Sequence, residues 1–550
     1  MGFLLLLLLI SSTNSLPFTN IEIKGNTSFS QNQIIKLLPR IDSDNMDEGL
    51  IENYSRKILQ FYKNQGFIES SIHLEATDKT LVIHICEGEK FTIGNINIRG
   101  NRFTKDDILL NNAPLKEGEV FNQEKFKSTI DDVLQFYGNS GFPFTRIIPS
   151  SFKTQKSRIN INLEIEEGPR LRWGKVKPQG NSTTKDFVVQ KQMRIPEGNF
   201  FSEEVLNKSY RWLNRLKFLE SAEDAKLIRG EKSGTVDVLV KVRELRANRI
   251  NGIIGYMPSR NEEKGGYVGS ITAQMLNLFG TGRAVDLHWE KQIPPFTNLH
   301  ISYKEPWIFG TQTNLSLSLS HLIEDTLYSI SEIYSEIETE ISYNLALNLR
   351  TGWEKFSPAA IDIPKSNKYS IGSKVQFLNL DREINPSRGI HYIFNTEYGK
   401  KTDADVMKFS VSLLNIIPLI TQNVFSLYIT GKASRTNDPP LPYYEQFTLG
   451  GYKSLRGFRE RQFRAIHLLR VSPEYRYLVS EKSRLYLFYD SAYFKTCTYP
   501  KGETDYLFKY GYGTGANFLT PIGIISIEYA IGEEKKFMKG KIHIGVDTTF

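Results

Sequence analysis

Two separate segments of this 550-residue chain recur at one interval, and that constrains the fold more than any other feature. "IEIKGNTSFSQNQIIKLL" (Ile21–Leu38) resembles "INIRGNRFTKDDILL" (Ile96–Leu110), which places Gly25-Asn26 and Gly100-Asn101 75 positions apart. "LQFYKNQGF" (Leu59–Phe67) matches "LQFYGNSGF" (Leu134–Phe142) at the same offset of 75. The unit closes with "LVIHICEGEK" (Leu81–Lys90) and again with "INLEIEEGPR" (Ile161–Arg170). A looser third copy runs through "GKVKPQGNSTTKDFVVQKQ" (Gly174–Gln192), "YRWLNRLKFLE" (Tyr210–Glu220) and "VDVLVKVREL" (Val236–Leu245), with "KPQGN" where the first two have Lys or Arg before Gly-Asn. Shared offsets of this length mark tandem modules.

Each unit reads strand, helix, helix, strand, strand. Ile51, Tyr54, Ile58 and Tyr62 recur at three and four positions, the stripe of an amphipathic helix, and Phe126, Ile130, Val133 and Tyr137 repeat it. Gly66 and Gly141 follow these helices and suit a left-handed C-cap. Residues of roughly 20 to 245 are therefore expected to form three small α/β modules. A small sheet covered by helices on one side keeps a free edge, and such an edge accepts an extended peptide as a further strand.

Beyond about Arg249 the helical period gives way to a period of two. "QTNLSLSLSHL" puts Leu315, Leu317 and Leu319 on one face and serines on the other. Val285, Leu287 and Trp289 oppose Asp286, His288 and Glu290, and Ile525, Ile527 and Tyr529 oppose Ser526 and Glu528. The chain ends on "KIHIGVDTTF", with Ile542, Ile544, Val546 and the terminal Phe550 in one parity. A soluble β-sandwich would turn these apolar faces inward, but a soluble β domain of about 300 residues normally splits. Apolar-out, polar-in strands with long charged loops such as "PSRNEEKGG" fit a transmembrane barrel. Plentiful Tyr (27) and Phe (34) agree with strands.

The apolar run Phe3–Ile10 is too short to span a bilayer as a helix and reads as a signal peptide, 1–15, with cleavage near Ser15, although no Lys or Arg precedes it. Cys86 and Cys497 lie far apart with no His at ligand spacing, so neither a disulfide framework nor a metal site is expected. The formal charge is +8, but acidic residues nearly match the basic ones, and no basic–aromatic ladder points to nucleic acid. Neither GxSxG nor HExxH occurs, and "GYGTG" (Gly511–Gly515) sits between strands rather than before a helix.

One loop stands apart. In "FTLGGYKSLRGFRERQF" (Phe447–Phe463) a single arginine, Arg456, lies between Leu455 and the pair Gly457-Phe458. Strand parity downstream turns Leu469, Val471, Tyr475, Tyr477 and Val479 outward, hence Glu474 inward, and turns Leu485, Leu487 and Tyr489 outward, hence Asp490 inward. An arginine fork folded into the lumen would reach one or both carboxylates. Alternatively the loop lies in solvent and the carboxylates pair with Arg470, Arg476 or Arg484. Parity leaves both arrangements open.

Three repeats, a barrel and "LRGF", with "NLFGTGR" (Asn277–Arg283), "YKEPWIFG" (Tyr303–Gly310), "LDREINPSRG" (Leu380–Gly389), "FYDSAY" (Phe488–Tyr493) and "GYGTGANFLTPIG" (Gly511–Gly523) in order, resemble the BamA/TamA family of outer-membrane protein assembly factors across nearly the whole chain. The resemblance implies POTRA modules at 18–89, 90–169 and 170–246, and a surface-antigen barrel of about 16 antiparallel strands at 247–550. It implies an outer-membrane location with the modules in the periplasm, Cys86 in the periplasm and Cys497 on an extracellular loop. It assigns Leu455, Arg456, Gly457 and Phe458 as a loop anchor, Glu474 and Asp490 as its lumenal partners, and the final strand's Ile542, Ile544, Val546 and Phe550 as a C-terminal signal. The implied function is insertion of unfolded outer-membrane proteins, without cofactor or enzymatic chemistry. Implied partners are those clients, the lipid bilayer, and accessory lipoproteins or an inner-membrane protein; three modules make the layout more TamA-like than BamA-like. A two-partner secretion pore is the alternative, but such pores usually carry two modules and a plug helix, for which no room is expected here. A diffusion porin would not need the modules.

Overall fold

The computed structural model describes the chain except residues 1–19, 39–47, 78–79, 112, 156, 224, 258–265, 293–295, 325–326, 360–364, 383, 403, 453, 521–522, 534–539 and 548–550. The leader and the terminal Phe550 lie outside the described residues. The chain forms two compact units, one of Met1–Lys177, Arg194–Arg211 and Asp224–Val240, the other of Pro178–Met193, Trp212–Glu223 and Lys241–Phe550.

The first module runs strand Asn20–Lys24, helices Gln31–Ile35 and Glu48–Asn64, and strands Ser71–Thr77 and Thr80–Cys86. The second repeats it with Thr92–Arg99, Asp106–Leu110, Gln123–Asn139, Arg146–Gln155 and Arg158–Glu166. In both, the last strand lies in the middle, parallel to the first and antiparallel to its hairpin partner. The predicted helical stripe is the core: Tyr54, Ile58 and Tyr62 pack over Leu81 and Ile83, and Val133 and Tyr137 over Ile159 and Ile161. The third module departs from the five-element reading. Two short strands, Leu219–Ser221 and Lys226–Arg229, pair with Thr235–Glu244 where the other modules use one long edge strand.

The Gly-Asn pairs have one structural job in all three copies. Gly25, Gly100 and Gly180 take φ of +85°, +87° and +97°, a left-handed turn that glycine tolerates. The following Asn26, Asn101 and Asn181 donate from Nδ2 to the carbonyls of Phe29, Thr104 and Thr184 at 2.9, 3.0 and 2.9 Å. The carboxylate that closes each unit accepts from the same turn: Glu87 from Ser28 N at 3.0 Å, Glu167 from Phe103 N at 2.7 Å, and Glu244 from Thr184 N at 2.7 Å. The third copy's "KPQGN" is thus the same turn. The module joints repeat as well: Asn64 Oδ1 accepts from Glu124 N at 3.2 Å and Asn139 Oδ1 from Glu204 N at 2.8 Å.

From Arg249 onward sixteen strands pair in chain order, each antiparallel to the next, from the first (Arg249–Met257) to the sixteenth (Lys541–Asp547). The polarity is inside out. Leu317 is 52% exposed, while Ser318 beside it is buried with its hydroxyl 2.9 Å from that of Ser302. A sheet with exposed leucines and buried serines needs an apolar medium outside and a polar interior. No described helix is long and apolar enough to cross a membrane.

Antiparallel order puts the turns after even-numbered strands at the end where the chain enters the barrel. Two of the sequence motifs lie there and touch the third module's segment within the same unit. Lys185 N donates to Gly280 O at 2.8 Å, Asn277 Nδ2 to Thr184 Oγ1 at 2.8 Å, and Lys191 Nζ to Gly310 O at 3.2 Å. At the opposite end, residues 437–466 connect the eleventh strand (Asn423–Thr436) to the twelfth (His467–Leu478).

Candidate functional site

The loop 437–466 folds into the barrel. Its glycine pair starts the bend, and a short hairpin of Phe447–Leu449 with Phe463–Ala465 closes its base. Leu455 is fully buried and Phe458 nearly so, in an apolar cluster with Leu468 of the twelfth strand and Ala492 and Phe494 of the thirteenth (Arg484–Lys495). Gly457 takes φ +92° against the backbone of Gly532, where a side chain would lie 2.7 Å from Gly532 N.

This seat delivers Arg456 to the middle of the wall. Its Nε and Nη2 donate to the two oxygens of Asp490, each at 2.7 Å, and its backbone N–H donates to Oδ2 at 3.1 Å. Nη1 lies 2.9 Å from Glu474 Oε1 and 3.3 Å from Glu528 Oε1. The guanidinium plane sits 3.6 Å from the centre of the Phe488 ring, a cation–π contact. Asp490 is wholly shielded from solvent, and Arg456 is 7% exposed. The fork matches a planar carboxylate on two bonds, which a lysine cannot do. Such a buried pair fixes one conformation more than it adds stability.

Both sequence-derived carboxylates therefore meet the arginine. The open alternative also has a share, because Glu474 accepts from Arg476 Nε at 2.9 Å and Nη2 at 2.7 Å. Arg470 instead donates to Ser454 O, within the loop itself. Sequence reasoning missed Glu528, on the fifteenth strand (Gly523–Ile531), although its parity already turned it inward. It missed Phe488 and Tyr486 for the same reason: both are inward-facing members of "RLYLFYD", and Tyr486 OH donates to Glu528 Oε1.

"GYGTG" acquires a role as absent bulk. Gly511, Gly513 and Gly515 lie on the fourteenth strand (Tyr506–Thr520), paired opposite Asp490, Phe488 and Tyr486. A methyl at Gly511 would lie 2.0 Å from Arg456 O, at Gly513 2.7 Å from the Phe488 ring, and at Gly515 2.3 Å from the Tyr486 ring. The glycines make the recess that the loop and its aromatic neighbours fill. Of the C-terminal group, Ile542 is 67% exposed; Ile542, Ile544 and Val546 pair through their backbones with Tyr529, Ile527 and Ile525.

Residues 277–550 match the Omp85 superfamily domain, and 17–88, 91–168 and 171–245 match POTRA, described as the surface antigen variable number repeat. The outer membrane protein assembly factor BamA of Nitratidesulfovibrio vulgaris is 24% identical over 497 residues, 83% of this chain and 61% of its own length. BamA of Buchnera aphidicola is 21% identical over 61% of this chain and 56% of its own length. The chain thus spans about three fifths of these curated relatives. Among solved structures, BamA from Haemophilus ducreyi lacking POTRA domains 1-3 superposes with a TM-score of 0.56 at 18% identity, covering 82% of this chain and 98% of that one. CdiB from Acinetobacter baumannii shares the fold at a TM-score of 0.50 and 14% identity, covering 81% of this chain and 87% of that one.

Proposed function

For a chain that belongs to the Omp85 superfamily, an outer-membrane barrel preceded by three periplasmic POTRA modules, we propose the function of an insertase for other outer-membrane β-barrel proteins. The observation that carries this reading is the seat of Arg456. One guanidinium bonds the twelfth, thirteenth and fifteenth strands into a single stiff wall beside the sixteenth. A barrel so stapled parts most readily where its ladder begins and ends, between the sixteenth strand and the first. The first strand has nine residues and carries Gly252 and Gly255, which weaken it locally. An unfolded client would add its own strand to an edge exposed there, so that its backbone groups exchange water for hydrogen bonds before entering lipid. The Ser71–Thr77 edge of the first module's sheet, and its counterpart in the second, offers the same kind of pairing to an arriving client. Clients, accessory lipoproteins and an inner-membrane partner belong to this proposal.

The same barrel supports a second reading, a two-partner secretion pore that exports one protein through the lumen; the likeness to CdiB in fold keeps it in view. The two separate in one experiment. The purified chain in liposomes is offered an unfolded, unrelated outer-membrane barrel, and client folding is followed by protease resistance and heat-modifiable gel mobility. Folding faster than in empty liposomes, and lost with Arg456→Ala in a barrel that is itself folded, is the expected result. No acceleration beside a large ion conductance overturns the insertase in favour of the pore.

A further inference from the structure

The loop that carries Arg456 has a second charged seat of opposite sign. Glu445, eleven residues upstream, is 1% exposed. Its carboxylate lies 2.6 Å from Lys401 Nζ, 2.7 Å from Lys408 Nζ and 3.4 Å from Lys368 Nζ. Those lysines come from three successive strands, the eighth (Ser366–Leu380), ninth (Gly389–Lys401) and tenth (Asp405–Ile420). Lys368 is also held by Glu354 at 2.9 Å and Glu397 at 3.5 Å. Around Glu445 the loop is packed as well as paired. Tyr444 stacks on Phe356 with ring centres 3.6 Å apart, and Gln446 Nε2 donates to Cys497 O at 2.8 Å, on the next loop at the same end of the barrel.

We propose that Glu445 is a second loop anchor, which holds the upstream limb of 437–466 across the mouth of the lumen and keeps the lumen shut. The position supports this. Lys401 is the last residue of its strand and Lys368 and Lys408 lie near the starts of theirs, so the clamp sits at the rim where the loop enters, whereas Arg456 sits at mid-wall. Arg461 and Arg464 reach Glu324 of the fifth strand (Thr313–Glu324), each at 2.9 Å, so the loop touches the wall on three sides. A cavity of about 290 Å³ adjoins the clamp, with a lining that includes Asn395, Glu397 and Lys408 of the wall and Phe447 of the loop.

The chemistry makes this limb the one that releases first. Arg456 is gripped by a planar two-bond match plus a backbone bond, whereas Glu445 is held by point-charge ammonium groups on flexible stems. Removing the Glu445 charge does more than weaken the contact. It leaves three lysine heads close together with two carboxylates, both on Lys368, so the limb loses its charge partner and the uncompensated ammonium groups call for water where the limb now packs.

The proposal does not rest on the insertase reading, and its test is electrical. The full chain in planar bilayers is expected to show low conductance. Glu445→Gln is expected to raise mean conductance at least about fivefold, while Glu445→Asp, which keeps the charge, stays near the parent. Heat-modifiable gel mobility establishes that each variant barrel is folded. Lys401→Met and Lys408→Met, each removing one pair, carry the same criterion should Glu445→Gln fail to fold, with a smaller rise from each. Unchanged conductance in folded variants overturns the proposal, as does a parent that already conducts freely. Failure of client folding in the parent bears on the insertase alone.

Discussion

Arg456 owes its place to what its neighbours lack as much as to what they carry. The carboxylates attract it, but the Gly511 recess admits its backbone, with no room for a methyl 2.0 Å from Arg456 O. Backbone oxygen cannot swing aside, so Gly511→Ala is expected to lift the loop from its seat at a cost of about 1–3 kcal/mol. Gly431→Ala serves as the comparison, since a methyl there meets nothing within 4 Å. Limited proteolysis of the reconstituted barrel checks this: a new cut within 437–466 for Gly511→Ala, none for Gly431→Ala. Equal protection in both would show that the recess does not position the loop. The inward turn of Glu474 and Asp490 was legible from strand parity, as was that of Glu528, because a period of two is a local property of the sequence. The meeting of these carboxylates with Arg456 was not, and nothing local in "LPYYEQF" marks Glu445, whose three lysines come from strands brought together by the barrel alone.

At the scale of one element, the Gly-Asn turn shows how a repeat is enforced. Burial alone would push the Glu87 carboxyl up, but hydrogen bonds from Thr27, Ser28 and Tyr62 hold it down at about 2. Glu244 is likewise held at about 2, by Thr184, Ser182 and Thr183, against burial that would raise it. A carboxylate lowered in the folded state contributes stability that is full above its ordinary value of 4.5 and is lost as pH falls toward 2. Amide exchange of the Thr80–Cys86 strand in the full chain is therefore expected to quicken as pH drops from about 5 toward about 2, after correction for intrinsic exchange. Glu87→Gln should flatten that dependence and cost about 1–3 kcal/mol at neutral pH, since it loses the charge-assisted bonds. A pH dependence identical in the variant would remove Glu87 from this role. The turn was visible in the sequence as Gly-Asn, and the carboxylate as the glutamate closing each unit. Their contact was not, being an interaction between positions some 60 apart.

For the whole molecule, the inside-out polarity decides between a lipid-facing barrel and a water-soluble sandwich. On the outward face Leu317 is 52% exposed, and replacing it with arginine is expected to cost up to about 2–4 kcal/mol if it lies near the bilayer midplane. Folding of Leu317→Arg into liposomes, read as heat-modifiable mobility, should fall well below that of the parent. A soluble sandwich with that leucine in water would gain solubility from the same change. Normal folding into lipid would argue against a lipid-facing Leu317.

What the sequence determined by itself is whatever is periodic: two modules at an interval of 75 with a looser third copy, helical stripes that became cores, and strands whose alternate residues face lipid or lumen. Periodicity is local, set by 3.6 residues per helical turn and two per strand, so it survives without knowledge of the partner. The third module's split edge strand escaped it, because a strand of three or four residues is too short to show a period. The tertiary structure alone decided which inward charge meets which. A loop of thirty residues, 437–466, has many ways to lie, and only the assembled sixteen-strand sheet brings Asp490 and Glu528 to Arg456, and three lysines to Glu445. Burial then makes the choice binding, since a charge taken from water must find its counterpart.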